Sequence, residues 1–464
     1  MRKTAVLAIL GLLVVVSAAP GGKIGERYSP PGAPAPMPMV AEGPGDATTE
    51  RLIEDLGAED WRVRENAGRE LVQRGERALP YMRRALAGTD NPEVQRRLAV
   101  LVRRMDSDRL VAPKRVTLSA KNRTAKQLVD DLAQQTGYKL ELGEQPDVKH
   151  SLEFDNTPFW QAIDAVASAA GLTVFTDQED GTVRIINHDV SNPHVAYAGP
   201  FRFLATSIQS SRNLQLSGIS KRGGQERVSE YMNLSFQVNS EPKNPMLGLS
   251  QPELLAATDN LGGSLLPPRE QSGYEYRSGY YNHGSRSHNL SLGVNLVRGD
   301  RGATSIKTLK GKVRVELLSG TVPEVVVPDP LKVAKRTFNG RSTDLEVTEV
   351  KEDANQKGVY TANVTARSHV PVDPRRGDDY AWAHNIHQRL ELADENGNRY
   401  FSYGPQQTNN LQGGLQMTMM FGPEDRRAGR PGPVKLGPPT RLVLTEWLTV
   451  THEVTFEFKD IPLP

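Results

Sequence analysis

Residues 116–142, VTLSAKNRTAKQLVDDLAQQTGYKLEL, and residues 150–176, HSLEFDNTPFWQAIDAVASAAGLTVFT, repeat one another at a spacing of 34 residues. Asn122 falls on Asn156, Val129 on Ile163, Leu132 on Val166, Ala133 on Ala167 and Gly137 on Gly171. Each copy reads as strand, capped helix, glycine stop, strand. In the first, Arg115–Ala120 alternates, Thr124 caps a helix with Leu128, Val129 and Leu132 inward, and Tyr138–Leu142 is extended. In the second, Ser151–Phe154 is extended, Asn156 or Thr157 caps, and Pro158 sits at the helix start. Trp160, Ile163 and Val166 then face inward, and Leu172–Thr176 is extended. A last strand, Thr182–Ile186, follows the turn Glu179–Gly181. Two such units predict a βαββαββ domain over 113–190, its helices covering one sheet face.

The motifs Thr117–Thr124 (TLSAKNRT), Gln135–Tyr138 (QTGY) and Asn156–Ala162 (NTPFWQA) make this stretch resemble the short N-terminal domain of secretins, TonB-dependent receptors and some transmembrane signal regulators. The resemblance covers Arg115–Asn187. It implies a docking module for other envelope components, with no catalytic residues to carry over. The chain departs from that family downstream, where no run of lipid-facing strands with aromatic girdles follows.

Upstream, residues 1–19 have the form of a signal peptide: Arg2 and Lys3, the apolar run Ala5–Val16, then the small residues Ser17, Ala18 and Ala19. The apolar run is shorter than the ~20 residues of a spanning helix. Residues 20–47 hold seven prolines and read as a linker. Residues 48–110 predict four short helices with small apolar faces. These are Leu52, Ile53 and Leu56; Trp61, Ala67 and Leu71; Ala78, Leu79, Met82 and Leu86; and Val94, Leu98, Leu101 and Met105 behind the cap Asn91. Connections of three or four residues pack such helices as hairpins. The segment resembles a pair of HEAT-type repeats, with Trp61–Ala67 (WRVRENA) its most typical stretch. Two repeats are fewer than a free-standing solenoid needs, so the segment is expected to dock on another domain. Its thirteen arginines from Arg51 to Arg109 are interspersed with twelve acids counted from Glu50, a solvated, ion-paired face.

After Asn187 the sequence turns to β-rich stretches: Phe201–Gln209, Tyr231–Val238, Asn289–Val297, Lys312–Leu318, Val322–Val327, Val359–Ala366, Gln388–Ala393, Leu415–Phe421, Thr440–Trp447 and Val450–Phe458. The turns that begin at Asp259 and Asp394 lie 135 residues apart, and the strands after them recur in the same order. Two antiparallel β-sandwiches are expected, 193–330 and 331–464. The fold class is therefore multidomain: α in the helical hairpins, mixed α/β in the repeat, and all-β in the sandwiches.

Composition narrows the function. Over 464 residues, Lys+Arg number 57 against Asp+Glu 55, too little excess for general nucleic-acid attraction. Zero cysteines exclude disulfides and thiolate chemistry. No nucleophile elbow, zinc-protease pair or phosphate loop occurs. Residues Asp378, Asp379, His384 and His387 collect in one polar segment without further ligands in register. No cofactor and no metal are expected, and no catalytic residue is assigned. The candidate binding loop is Arg269–Asn289, with Tyr274, Tyr276, Tyr280, Tyr281, His283 and His288 among small polar residues. Trp61, Trp160 and Trp447 are expected in cores. The expectation is an exported, non-enzymatic adaptor of the periplasm or cell surface whose partners are envelope proteins. It docks through a sheet edge, either Arg115–Ala120 or Thr182–Ile186. The alternatives are a subunit acting with a separate pore and a binder of cell-wall glycan.

Overall fold

A computed structural model describes residues 47–188, 193–215, 227–267, 280–281, 285–299, 302–369, 383, 385–411, 413–425, 430–431 and 435–464, with backbone alone at 87, 213–215, 227–229, 280–281, 425 and 430–431. The expected signal peptide, 1–19, and most of the expected linker, 20–47, lie outside these residues. Among the described residues no helix is long and apolar enough to cross a membrane.

Four helices come first: α1 (Ala47–Asp55), α2 (Trp61–Arg74), α3 (Leu79–Gly88) and α4 (Pro92–Val111). Asp60 caps α2 through Arg62 N, and Asn91 caps α4 through Glu93 N and Val94 N. Their apolar stripes meet in one core, with Leu56, Leu71, Met82 and Leu98 at its centre. Trp61 is not in it. It lies on the surface, 60% exposed, with the Arg62 guanidinium 5.8 Å from its ring.

The duplicated segment follows as β1 (Arg115–Thr124), α5 (Ala125–Thr136), β2 (Leu140–Leu142), β3 (Lys149–Pro158), α6 (Phe159–Ala170), β4 (Thr173–Thr176) and β5 (Val183–Ile186). The two copies form a single body, but it has two sheets. Strand β1 pairs antiparallel with β3, while β2, β5 and β4 form a second sheet with β5 in the middle. One core joins both helices to both sheets, through Val116, Phe154, Leu128, Leu132, Phe159, Trp160, Ile163, Val183 and Ile185. This differs from a single sheet covered on one face. Helix α5 carries the expected box, Thr124 with Gln127. The second copy departs from the expected cap: Pro158 is the N-cap and makes no side-chain hydrogen bond.

The β-rich half contains β6 (Val195–Ala198), β7 (Phe201–Gln215), β8 (Arg227–Ser240), β9 (Met246–Ser250), β10 (Glu253–Asp259), β11 (Tyr280–Tyr281), β12 (Asn289–Leu296) and β13 (Ser305–Pro328). It continues with β14 (Arg336–Phe338), β15 (Thr343–Glu352), β16 (Tyr360–Ser368), α7 (Ile386–Arg389), β17 (Leu390–Asp394), β18 (Phe401–Leu411), β19 (Gly414–Gly422), β20 (Glu424–Asp425), β21 (Arg430–Pro431) and β22 (Pro439–Pro462).

The two sets repeat each other. Strand order β12-β8-β7-β6 matches β19-β16-β15-β14, and β10 lies on the first half of β13 as β17 lies on the first half of β22. The turns at Asp259 and Asp394 are alike in detail. Asp259 Oδ1 accepts from Leu261 N and Gly263 N, and Asp394 Oδ1 accepts from Asn396 N and Asn398 N.

Two sandwich-like cores result, but they do not divide at 330/331. Strands β13 and β22, 24 residues each, pair antiparallel along nearly their whole length, a ribbon of about 80 Å. The first core takes Ile306, Val313 and Val315 from β13, and Val454, Phe456 and Phe458 from the far end of β22. The second takes Leu442 and Leu444 from β22, and Val325 and Val327 from the far end of β13. Each half completes its core with the other's last strand. The apolar alternation in 312–327 and 440–458 marks which face is buried and cannot say against which half.

Candidate functional site

The α/β body, the helical segment and the first sandwich-like half meet at the turn after β8. Residues Ser240, Glu241 and Asn244 of that turn are buried. Lys243 Nζ donates to Arg109 O at 3.2 Å and to Ala112 O, and Asn244 Nδ2 donates to Leu110 O. A cation and an amide thus satisfy the orphan carbonyls at the C-terminus of α4. Glu241 accepts from Lys114 N at 3.1 Å through both oxygens and from Tyr138 Oη at 2.5 Å. Burial holds the Glu241 carboxyl above its usual range, and burial with the neighbouring carboxylate pushes the Tyr138 phenol up.

A second set of contacts fixes α6. Trp160 is buried and its Nε1 donates to Pro200 O at 3.0 Å. Asp164 accepts from Arg202 Nε at 2.8 Å and from Tyr197 Oη at 2.7 Å, with the Arg202 guanidinium lying over the Trp160 ring. Burying an ion pair is tolerable when its remaining valences are satisfied, and here a phenol supplies one.

The sequence-predicted binding residues separate. Tyr274, Tyr276 and His283 lie outside the described residues. Tyr280 and Tyr281 form β11, paired with Ser250 and Leu249 of β9. His288 does not belong to an exposed loop: it is 3% exposed and pins two bodies together. Its backbone N–H donates to Gln178 O at 2.8 Å, its Nδ1 faces Ser240 Oγ at 3.3 Å, and its ring packs on Gly181, where a Cβ would come within 3.0 Å. Burial, with Arg286 nearby, pushes its pKa down to about 3. Of the polar segment, Asp378, Asp379 and His384 lie outside the described residues, and His387 is in α7. Among the described residues no group of three or more His, Asp or Glu side chains could hold a metal ion.

The expected docking edges also change. Strand β5 is central, with β2 on one side and β4 on the other, so Thr182–Ile186 offers no edge. Strand β1 is an edge, but Gln135 occupies it: Thr117 N donates to Gln135 Oε1 at 3.0 Å and Gln135 Nε2 donates to Thr117 O at 3.1 Å. A side-chain amide replaces the missing strand at that point.

Strand β4 is different. Asp177 N donates to Thr182 O at 2.8 Å, which makes 177/182 a hydrogen-bonded pair, and the antiparallel alternation then makes 175/184 another. The backbone groups of Val174 and Thr176 therefore face away from β5, and among the described residues no strand pairs with that side. Val174, Phe175 and Thr176 form one wall of a cavity of about 190 Å³. Its floor is the outer face of the first half's sheet, with Leu204 and Thr206 on β7 and Gln237 and Asn239 on β8. Asn239 sits between Arg202 and Asn289 across three strands and is 2% exposed. Asn239 Oδ1 and Thr176 Oγ1 are buried atoms with no hydrogen-bond partner. Phe175 stays 38% exposed at the rim, with the His188 ring 5.3 Å away, edge-on. Sequence reasoning missed this site because its two walls come from segments that no local pattern relates.

Comparisons with protein-family models, with curated proteins and with solved structures find no match.

Proposed function

We propose that this protein is an exported, non-enzymatic adaptor of the bacterial periplasm or cell surface. It captures an extended segment of another envelope protein by strand addition at β4. The observation that carries this reading is the unpaired side of β4, which opens onto a cavity floored by a second sheet. Backbone hydrogen bonds to Val174 and Thr176 would supply affinity, and the cavity a place for an alternate side chain. Several features support the reading. The leader-like residues 1–19 argue for export. The resemblance of Arg115–Asn187 to the secretin and TonB-receptor short N-terminal domain argues for docking, with a HEAT-like segment and two sandwiches as its frame. The α/β body is held on that frame through Glu241, Asp164 and His288, which keeps the two walls in register.

Photo-crosslinking tests it. Benzoylphenylalanine in place of Phe175, in the native envelope, is expected to give one dominant protein adduct. The adduct is expected to disappear in Thr176→Pro, which removes an outward N–H without breaking the β4–β5 ladder. An adduct that survives Thr176→Pro, or none at all, would overturn strand addition.

A further inference from the structure

Strand β18 stands outside the repeat of the two halves. The sheets β12-β8-β7-β6 and β19-β16-β15-β14 correspond, but the second continues beyond β19 to a fifth strand, β18. Among the described residues the first sheet ends at β12, and no strand pairs with the far side of β18. Tyr403 and Gly404 are buried, after which Gln406, Gln407, Thr408, Asn409 and Asn410 are all exposed. Successive strand residues face opposite ways, so five exposed in a row leave both faces uncovered.

The backbone of this edge is open as well. Pairing with β19 runs without a shift from Gln407 to Leu411. The hairpin closes on Leu411 and Gly414 with two residues between them, which makes that a hydrogen-bonded pair. Alternation then bonds Asn409 to Gln416 and Gln407 to Thr418, and turns the N–H and C=O of Thr408 and Asn410 outward. Charge is the usual guard on such an edge. Here it is missing: no Asp, Glu, Lys, Arg or His occurs in 400–423, although 24% of the chain is charged.

The side chains point to the occupant. From either end they read two carboxamides, a hydroxyl and two carboxamides. A two-fold antiparallel pairing centred on Thr408 sets Gln407 opposite Asn409 of the second copy. A carboxamide both donates and accepts, so it is complementary to another carboxamide directly across the pair. A charged strand would find no opposite charge on this edge, and an apolar strand would offer the carboxamides nothing.

We propose that β18 is the contact between two copies of this chain, paired antiparallel about Thr408. The two Thr408 residues exchange both backbone hydrogen bonds at the axis. The contact is isologous and closes on itself, because each copy uses the same edge. It joins two five-stranded sheets into one. The paired segment is short, so the dimer is weak and depends on concentration. This inference is independent of the β4 reading, and each dimer carries the β4 site twice.

The test uses the full chain, which has no native cysteine. Sedimentation between about 1 and 100 μM is expected to show a monomer–dimer equilibrium. Thr408→Pro removes two hydrogen bonds at the axis and is expected to weaken the dimer about tenfold. It spares the β18–β19 ladder, because the lost N–H faces outward. Under mild oxidation Thr408→Cys is expected to form a disulfide-linked dimer, its Cα atoms lying about 5.5 Å apart across the axis. Asn410→Cys is expected to stay unlinked, its copies about 13 Å apart. A chain monomeric throughout, with no Thr408→Cys dimer, would overturn the proposal. A dimer that Thr408→Pro leaves unchanged would place the contact elsewhere and also overturn it. Linking of Asn410→Cys as readily as Thr408→Cys would overturn the two-fold register.

Discussion

At Asn122 and Asn156 the backbone sits at φ 59° and 47°, the left-handed region that L-residues avoid. They occupy the same place in the two copies, as do Gly137 and Gly171 at φ 72° and 68° behind the two helices. Asparagine tolerates this conformation where a β-branched residue does not. Asn122→Val is expected to lower stability by about 1–2 kcal/mol, and Asn122→Gly to leave it near wild type, both read by urea unfolding. The glycines were legible as helix stops, whereas the asparagines showed only as a match between the copies, and Asn156 reads in the sequence as a cap that Pro158 takes instead. His288 was not legible, because its burial depends on Gln178 and Gly181, more than a hundred residues earlier in the chain. Its consequence is a pH dependence. The folded pKa is depressed to about 3 from an ordinary 6.5, so the unfolded chain takes up a proton between these values while the fold does not. The contribution of His288 is therefore complete above pH 6.5 and is lost as pH falls toward 3, by up to about 5 kcal/mol. Glu241, raised by burial, runs the opposite way, its contribution present below pH 4.5 and lost as pH rises. Urea midpoints at pH 7 and pH 4 are expected to differ less in His288→Gln than in wild type. An unchanged difference would show that His288 is not the group responsible.

Strand edges decide which elements can take a partner. In the α/β body the pattern Arg115–Ala120 predicts a strand, and a strand is there, but alternation says nothing of what covers its free side. The cover is Gln135, from the QTGY stretch, reaching from the last turn of α5 to both backbone groups of Thr117. This arrangement distinguishes β1 from β4, whose outward groups at Val174 and Thr176 meet a cavity. Gln135→Leu removes both hydrogen bonds while keeping the side-chain bulk. Hydrogen exchange of the Thr117 amide is expected to rise by about tenfold, with the amides of β5 unaffected. The variant is also expected to self-associate more readily at high concentration, since an exposed edge templates pairing with another chain. If Thr117 exchanges at the wild-type rate, Gln135 is not the plug, and β1 returns as a candidate docking edge.

The whole molecule is tied by the ribbon of β13 and β22. The sequence shows four short stretches there, 312–318, 322–327, 440–447 and 450–458, each readable as a separate strand within its own half. The structure fuses them in pairs, with register shifts between Leu318 and Gly320 and between Pro323 and Val325 where the ribbon passes from one core to the other. The recurrence of strand order was visible in the two Asp turns, whereas the exchange was not. Swapping equivalent strands between two similar halves preserves every local pattern and changes only which half each strand joins. A truncation separates the two arrangements. Ending the chain at Thr449 removes Val454, Phe456, Phe458 and Ile461, all members of the first core, and spares Leu442 and Leu444 of the second. Phe456 stacks on Phe203 and packs against Phe236, so their loss leaves a large void in the first half. Removing even one such ring costs about 3–5 kcal/mol. Hydrogen exchange is therefore expected to show β7 and β8 losing protection in the truncated chain, although they lie more than two hundred residues before the cut. Strands β16 and β19 are expected to stay protected, because Val325, Val327, Leu442 and Leu444 still close their core. Two independent consecutive sandwiches predict the reverse, with β16 and β19 exposed and β7 and β8 intact, and that result would refute the exchanged arrangement.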